Sequence, residues 1–168
     1  FMSKSYEEKM KKNGELLLSE YFKKGYDPKT KTIAVEQAFK IKITNDITLG
    51  GKIDRVDRRA DGKLKIIDYK TGAAPKKRDP QEDFQLSIYA LAATDKGVYD
   101  TAADNMLVSF YFFEGQERVS GTRTNEQLAA VREEIITAAN DINKSQFLPT
   151  PGMHCAFCEF RLLCEAWK

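Results

Sequence analysis

No apolar run in these 168 residues approaches the length of a bilayer span, and the amino end, Phe1-Met2-Ser3-Lys4, has no signal-peptide core. A cytoplasmic, reducing setting is therefore expected. Charge of one sign is not in excess: 27 Lys plus Arg against 25 Asp plus Glu leave a formal +2, too little for total charge to announce a nucleic-acid binder. Any basic footprint has to be local. Cysteine is scarce and confined to positions 155, 158 and 164, an odd number that cannot close into a disulfide framework. Histidine occurs once, at 154. Internal repeats, low-complexity tracts and a linker-like stretch are missing too. What is present, 42% hydrophobic and 31% charged residues with 10 Gly and 5 Pro, is neither disordered nor fibrous. The length suits a single domain over 1–168 with a core of its own. Phe1 ahead of Met2 is expected to mark an excised fragment or an expression scar.

Loose helical spacing of Tyr6, Met10, Leu17, Leu18, Tyr21 and Phe22 predicts an amphipathic helix over about 3–24, ended by Gly25 and the Asp27-Pro28 turn signal. Ile33, Val35, Phe39, Ile41 and Ile43 fall two apart or in multiples of two, which predicts a half-buried strand over 32–43. Strands are expected over about 47–58 and 63–71, joined as a hairpin at the Asp61-Gly62 turn signal. Asp79-Pro80-Gln81-Glu82 reads as a helix start with Asp79 as N-cap, the helix running to about Asp95. Its apolar stripe is Phe84, Ile88 and Leu91, while Gln85 and Tyr89, four apart, share an adjacent face. A buried strand over 106–113, a polar strand near 117–122, an amphipathic helix over about 125–144 and a short helix near 159–167 complete the reading.

The chemistry concentrates in the hairpin. Period-two alternation puts Leu64, Ile66, Asp68 and Lys70 on one strand face, so an acid and an amine project side by side where an apolar face ends. Asp54 on the preceding strand is the natural third member, and the loop decides whether it joins them. A two-residue loop, Asp61 and Gly62, would set Asp54 opposite Tyr69 and turn its carboxylate away from Asp68. A three-residue loop from Ala60 to Gly62 sets it opposite Asp68, on the same face; an odd loop or a bulge is therefore predicted. Two carboxylates converging beside a lysine suit phosphodiester chemistry. Hard oxygen ligands bind Mg2+ or Mn2+, which acidify a bound water, and a lysine can orient that water or offset charge on the attacked phosphate. A surface ion pair on a solvated strand is the competing reading of Asp68-Tyr69-Lys70 alone.

Three ordered blocks within residues 33–93 carry a resemblance: Gly51-Lys52-Ile53-Asp54-Arg55-Val56-Asp57, Ile66-Ile67-Asp68-Tyr69-Lys70-Thr71-Gly72, and Gln85-Leu86-Ser87-Ile88-Tyr89-Ala90-Leu91-Ala92. Together they resemble the nuclease core of the RecB-type branch of the PD-(D/E)XK superfamily. The resemblance implies an α/β fold of the restriction-endonuclease-like kind, a mixed central sheet flanked by helices. It also implies metal-dependent DNA hydrolysis, by an exonuclease more readily than an endonuclease, in repair or recombination. It assigns Asp54, Asp68 and the backbone carbonyl of Tyr69 to the metal, a catalytic role to Lys70, and places at the site to Gln85 and Tyr89. Glu36 is matched more loosely, as a metal neighbour or a solvated strand residue.

The tail over 149–168 extends the resemblance. Cys155-x2-Cys158-x5-Cys164 resembles the last three ligands of the 4Fe–4S cluster in an iron–sulfur subgroup that includes helicase–nuclease subunits and CRISPR-associated exonucleases. The fourth, upstream cysteine of that subgroup is absent, as is the histidine that many relatives carry on an early helix; one truncation would explain both. A Cys3His zinc site with His154 and three free thiols packed with Phe157, Phe160, Leu162 and Leu163 are the competing readings. For DNA contact, the loop Pro75-Lys76-Lys77-Arg78 is the local basic footprint, with Arg55, Arg58 and Arg59 as further candidates. Phe110, Tyr111, Phe112 and Phe113 are read as sheet core before stacking surfaces. The expected partners are single-stranded DNA or DNA ends and a helicase or other repair subunit. Two further readings stay open: a nucleic-acid-binding module with a decayed nuclease site, and an interaction domain in which the cysteine tail alone binds metal.

Overall fold

A computed structural model of the chain describes residues 3–75, 79–144 and 147–167. Helix α1 (Lys4–Glu20) is capped by Ser3, whose Oγ accepts from the Tyr6 N–H at 3.3 Å. It buries no residue and relaxes into a π-turn, Tyr21–Gly25, where Tyr21 and Gly25 reach the interior. The helix expected over 3–24 is thus two pieces, and only the second packs.

Five strands follow: β1 (Lys31–Lys42), β2 (Thr48–Arg58), β3 (Leu64–Lys70), β4 (Met106–Phe112) and β5 (Glu117–Gly121). They form one sheet in the order β1-β2-β3-β4-β5, antiparallel except for the β3–β4 pair. Short connections make the antiparallel pairs, whereas the parallel pair needs a crossover, which carries helix α2 (Phe84–Thr94). Helix α3 (Asn125–Asn143) begins in a capping box of Thr124 and Gln127. The sheet is mixed and flanked by helices, the α/β arrangement expected from sequence.

The main core joins Val56, Leu64, Ile66, Val108 and Phe110 of the sheet to Leu86, Ala90 and Ala93 of α2 and Leu128, Val131 and Ile135 of α3. Each fully buried aliphatic side chain there contributes about 1.5–3 kcal/mol, and the alanines of α2 let the helix lie close on the strands that carry Asp68. The other sheet face holds a smaller cluster of Tyr21, Ile67 and Tyr111, with Tyr69 and Phe113 against it.

The β2–β3 register pairs Arg55 with Ile67, Val56 with Ile66, Asp57 with Lys65 and Arg58 with Leu64. The Arg59 N–H donates to the Lys63 carbonyl at 2.9 Å and the Gly62 N–H to the Arg59 carbonyl at 3.0 Å, leaving Ala60-Asp61-Gly62 as the loop. Gly62 sits at φ +82, the left-handed position that three-residue hairpin loops require. The odd loop expected from the sequence is therefore present, and the paired register ends at Arg55 and Ile67, next to Asp54 and Asp68.

Three expectations are corrected. Helix α2 starts four residues later than expected, with Asp83 as N-cap accepting from the Leu86 N–H at 3.1 Å, while Asp79 caps only a turn through the Gln81 N–H. Its register follows the burial of Leu86, Ala90 and Ala93, which leaves Phe84 exposed. The helix expected near 159–167 is replaced by turns and short 3-10 segments, Met153–Phe157 and Glu165–Trp167. Phe157, Phe160, Leu162 and Leu163 are 70–93% exposed, so they do not pack around the thiols, and a helix this short has no buried face to hold it.

Candidate active site

The carboxyl end of β3 aims Asp68 and Lys70 from the sheet toward α2, and Asp68 is only 3% exposed. Its Oδ1 accepts from Gln85 Nε2 at 3.1 Å and from the Tyr89 hydroxyl at 2.9 Å. Lys70 Nζ lies 2.7 Å from Asp68 Oδ2 and donates to Gln85 Oε1 at 3.0 Å. Gln85 Nε2 also donates to the Tyr89 hydroxyl at 3.0 Å. The amide of Gln85 therefore has one orientation that serves all its neighbours, oxygen to the ammonium and nitrogen to the carboxylate. Burial first, then the Asp68 carboxylate, pushes the Tyr89 phenol far up, so it is a hydroxyl donor throughout the neutral range. Phe39 meets the Tyr89 ring edge-on at 6.4 Å between centroids and lies over Gly51, where a Cβ would stand 2.6 Å from the Phe39 ring.

Asp54 reaches across the hairpin, its Oδ2 accepting from the Tyr69 N–H at 2.8 Å. Ile53 and Val56, three residues apart, are both fully buried in the main core, so the alternation of β2 breaks beside Asp54. Opposite this break Glu36 stands at φ +50, a left-handed conformation that costs a non-glycine residue about 1–3 kcal/mol. The Glu36 side chain is exposed and paired with Lys52.

Tyr69 points to the other face, where its hydroxyl lies 2.8 Å from that of Tyr21 and both accept from Arg55 Nη1, at 3.3 and 3.0 Å. Arg55 Nε in turn donates to the buried Asp57 at 2.7 Å. Arg55 is thus committed to holding β2, β3 and the π-turn together, which corrects its place among the phosphate contacts. Arg58 and Arg59 sit at the hairpin turn, bonded to the Gly62 carbonyl and to Asp61, roughly 13 Å along the strand from Asp68. Lys76, Lys77 and Arg78 of the expected basic loop lie outside the described residues. Phe110, Tyr111 and Phe112 are at most 3% exposed and belong to the core.

Arg123 was not legible as a site residue. It is 2% exposed and ties down the approach to α2, donating to Ser87 Oγ (2.7 Å) and to the carbonyls of Pro80 (2.9 Å), Asp83 (2.9 Å) and Thr122 (2.8 Å). No periodicity marks it, since a Thr-Arg-Thr before a helix reads as surface. Arg123→Met should cost about 3 kcal/mol, because the four hydrogen bonds of a buried guanidinium are lost. Urea unfolding measures this, and an unchanged midpoint would remove Arg123 as the anchor of α2.

Asp68 Oδ2 is buried and takes no aligned hydrogen bond although Lys70 Nζ is beside it. A buried carboxylate oxygen with no aligned hydrogen bond suits a hard divalent cation, which binds through one or two carboxylates and completes its shell with water. Among the described residues no group of three or more His, Cys, Asp or Glu is arranged to hold a metal ion. The tail differs. Cys155, Cys158 and Cys164 line one cavity of about 180 Å3 with His154, all three as free thiols. Although these four residues line one cavity, no three of them are arranged to hold a metal ion.

The sequence profile of the PD-(D/E)XK nuclease superfamily matches residues 2–165. The Gene 69 protein of Mycobacterium phage D29 is 32% identical over 145 residues, 82% of this chain and 49% of the phage protein. The Gene 69 protein of Mycobacterium phage L5 is 31% identical over 142 residues, 80% and 45% respectively. An ATP-dependent helicase/deoxyribonuclease subunit of Streptococcus agalactiae serotype III is 47% identical over 38 residues, 23% of this chain and 4% of that protein. The chain spans about half the length of the phage proteins it matches.

Proposed function

Because the chain belongs to the PD-(D/E)XK nuclease superfamily, we propose that it hydrolyses DNA phosphodiester bonds with Mg2+ or Mn2+. In this reading it is an exonuclease acting on single strands or ends in repair or recombination. The observation that carries the reading is the buried Asp68 carboxylate, its Oδ2 ion-paired with Lys70 but without an aligned hydrogen bond, inside the closed set of Asp68, Lys70, Gln85 and Tyr89. Asp54, Asp68 and the Tyr69 carbonyl would hold the metal, which when bound supplies an acidified water and positive charge at the attacked phosphate. Lys70, fixed between Asp68 and Gln85, orients that water and offsets the charge that builds on phosphate oxygens. Gln85 and Tyr89 leave Asp68 Oδ1 saturated, so only Oδ2 faces the reaction. Arg55, Tyr21 and Tyr69 hold the strand end from behind.

The 38-residue similarity to a helicase/deoxyribonuclease protein supports a helicase-bearing partner. No helix among the described residues is long and apolar enough to cross a membrane, which accords with work on DNA in the cytoplasm. An end-labelled single strand and its duplex, incubated with the protein over a metal titration, test the reading. Cleavage should disappear in EDTA, return with Mg2+ or Mn2+, and shorten the single strand from an end. Strand binding without cleavage under any divalent metal would instead make the chain a binding module.

A further inference from the structure

Behind the sheet, on the face turned away from Asp68, a cavity of about 430 Å3 opens between the 27–30 turn, the hairpin loop and strands β3 to β5. Its floor is Lys65, Leu107 and Arg118, and Lys29 and Arg59 stand at its rim. Lys65 is only 6% exposed, yet no hydrogen bond or ion pair to its amine is found among the described residues. Arg118 lies 5.5 Å over the Tyr111 ring and donates from Nη2 to the Gly25 carbonyl at 2.7 Å, while its Nε is buried without a partner. Of the two carboxylates of the cavity, Asp61 pairs with Arg59 at 3.1 Å and accepts from the Lys63 N–H, and Asp27 accepts from the Lys29 N–H at 3.0 Å.

The Lys65 stem is buried in the sheet while its amine opens into the cavity with no carboxylate paired to it, so solvent or a bound anion is its acceptor. Four cations against two carboxylates leave a surplus of positive charge, and Lys65 and Arg118 both line a space larger than one phosphate. We propose that this cavity is a second phosphate-binding site, organised by Lys65 and Arg118, for a phosphate of a polynucleotide backbone or for a free phosphate group. Burial and then the nearby Arg118 hold the Lys65 amine below its ordinary range, with Asp27 and Asp57 opposing them and Arg55 adding to the depression; a bound anion would reverse this. The site needs no contribution from the hydrolytic centre, since it lies on the opposite face and roughly 10 Å along β3.

The test compares wild type with Lys65→Met and Lys65→Arg in EDTA, so that binding is read without cleavage. The probes are inorganic phosphate and a fluorescent single-stranded oligonucleotide with no terminal phosphate. Lys65→Met should fold at least as stably as wild type and bind roughly tenfold more weakly, while Lys65→Arg retains binding. A backbone ligand shows as oligonucleotide displaced by phosphate and a salt slope shallower by about 0.7 in Lys65→Met. A free-phosphate ligand shows as phosphate binding that the oligonucleotide does not compete. Equal affinities of wild type and Lys65→Met for both probes overturn the proposal. Should Lys65→Met not fold, the exposed rim pair Lys29→Ala with Arg59→Ala is read by the same criteria, and unchanged affinity for both probes overturns it equally.

Discussion

Asp68→Asn should lower metal-dependent strand cleavage by more than about a thousandfold while the protein stays folded. The asparagine keeps an oxygen where Oδ1 accepts from Gln85 and Tyr89, so the packing of α2 against β3 is undisturbed. What changes is the other atom. An amide nitrogen would face Lys70 Nζ at the position where Oδ2 now lies 2.7 Å away, donor against donor, and the charge a hard cation requires is gone. Lys70 is about one-third exposed, so water can solvate the abandoned ammonium and the cost in stability should be about 1–2 kcal/mol. Paired measurements of cleavage rate and urea midpoint decide the matter. Undiminished cleavage by Asp68→Asn would remove Asp68 from the centre altogether.

Lys70→Ala comes second, with an expected loss of roughly 10²–10³ in single-turnover rate and less than about tenfold in strand affinity. The ammonium sits between Asp68 Oδ2 and Gln85 Oε1, 5.1 Å from the centroid of the Phe110 ring. Its position is set before substrate arrives, which is the condition for stabilising a transition state more than a ground state. Arginine should not restore the rate, because a planar guanidinium cannot make both contacts from the place of a compact ammonium. A loss confined to binding, with the bound strand cut at the wild-type rate, would make Lys70 a phosphate tether instead.

The hairpin shows why part of the site was legible. The choice between a two- and a three-residue loop sets the β2–β3 register, and Gly62 at φ +82 supplies the odd loop, whereas the break in β2 beside Asp54 carried no signal in the sequence. The four-residue spacing of Gln85 and Tyr89 likewise carries through to a direct hydrogen bond. Both are short-range regularities of backbone geometry. The start of α2 was misread because Asp79 and Asp83 are each good caps, and the choice between them fell to which residues the sheet could bury. In the cysteine tail, spacing suggests ligands, but the apolar residues around the thiols stay exposed and no three of the candidate ligands are arranged to hold a metal ion.

Taken alone, then, the sequence determined the strand faces, the hairpin parity, the carboxylate–lysine pair and the helix face that meets it, because each depends on residues a few positions apart. Only the tertiary structure decided that Arg55 is structural, that Arg123 anchors the approach to α2 through partners 36 to 43 residues away apart from neighbouring Thr122, and that Lys65 turns its amine into a cavity with no carboxylate paired to it. Those outcomes turn on which donors and acceptors are left once distant segments pack. A buried charge finds or lacks its partner through the whole fold, and no local pattern encodes that.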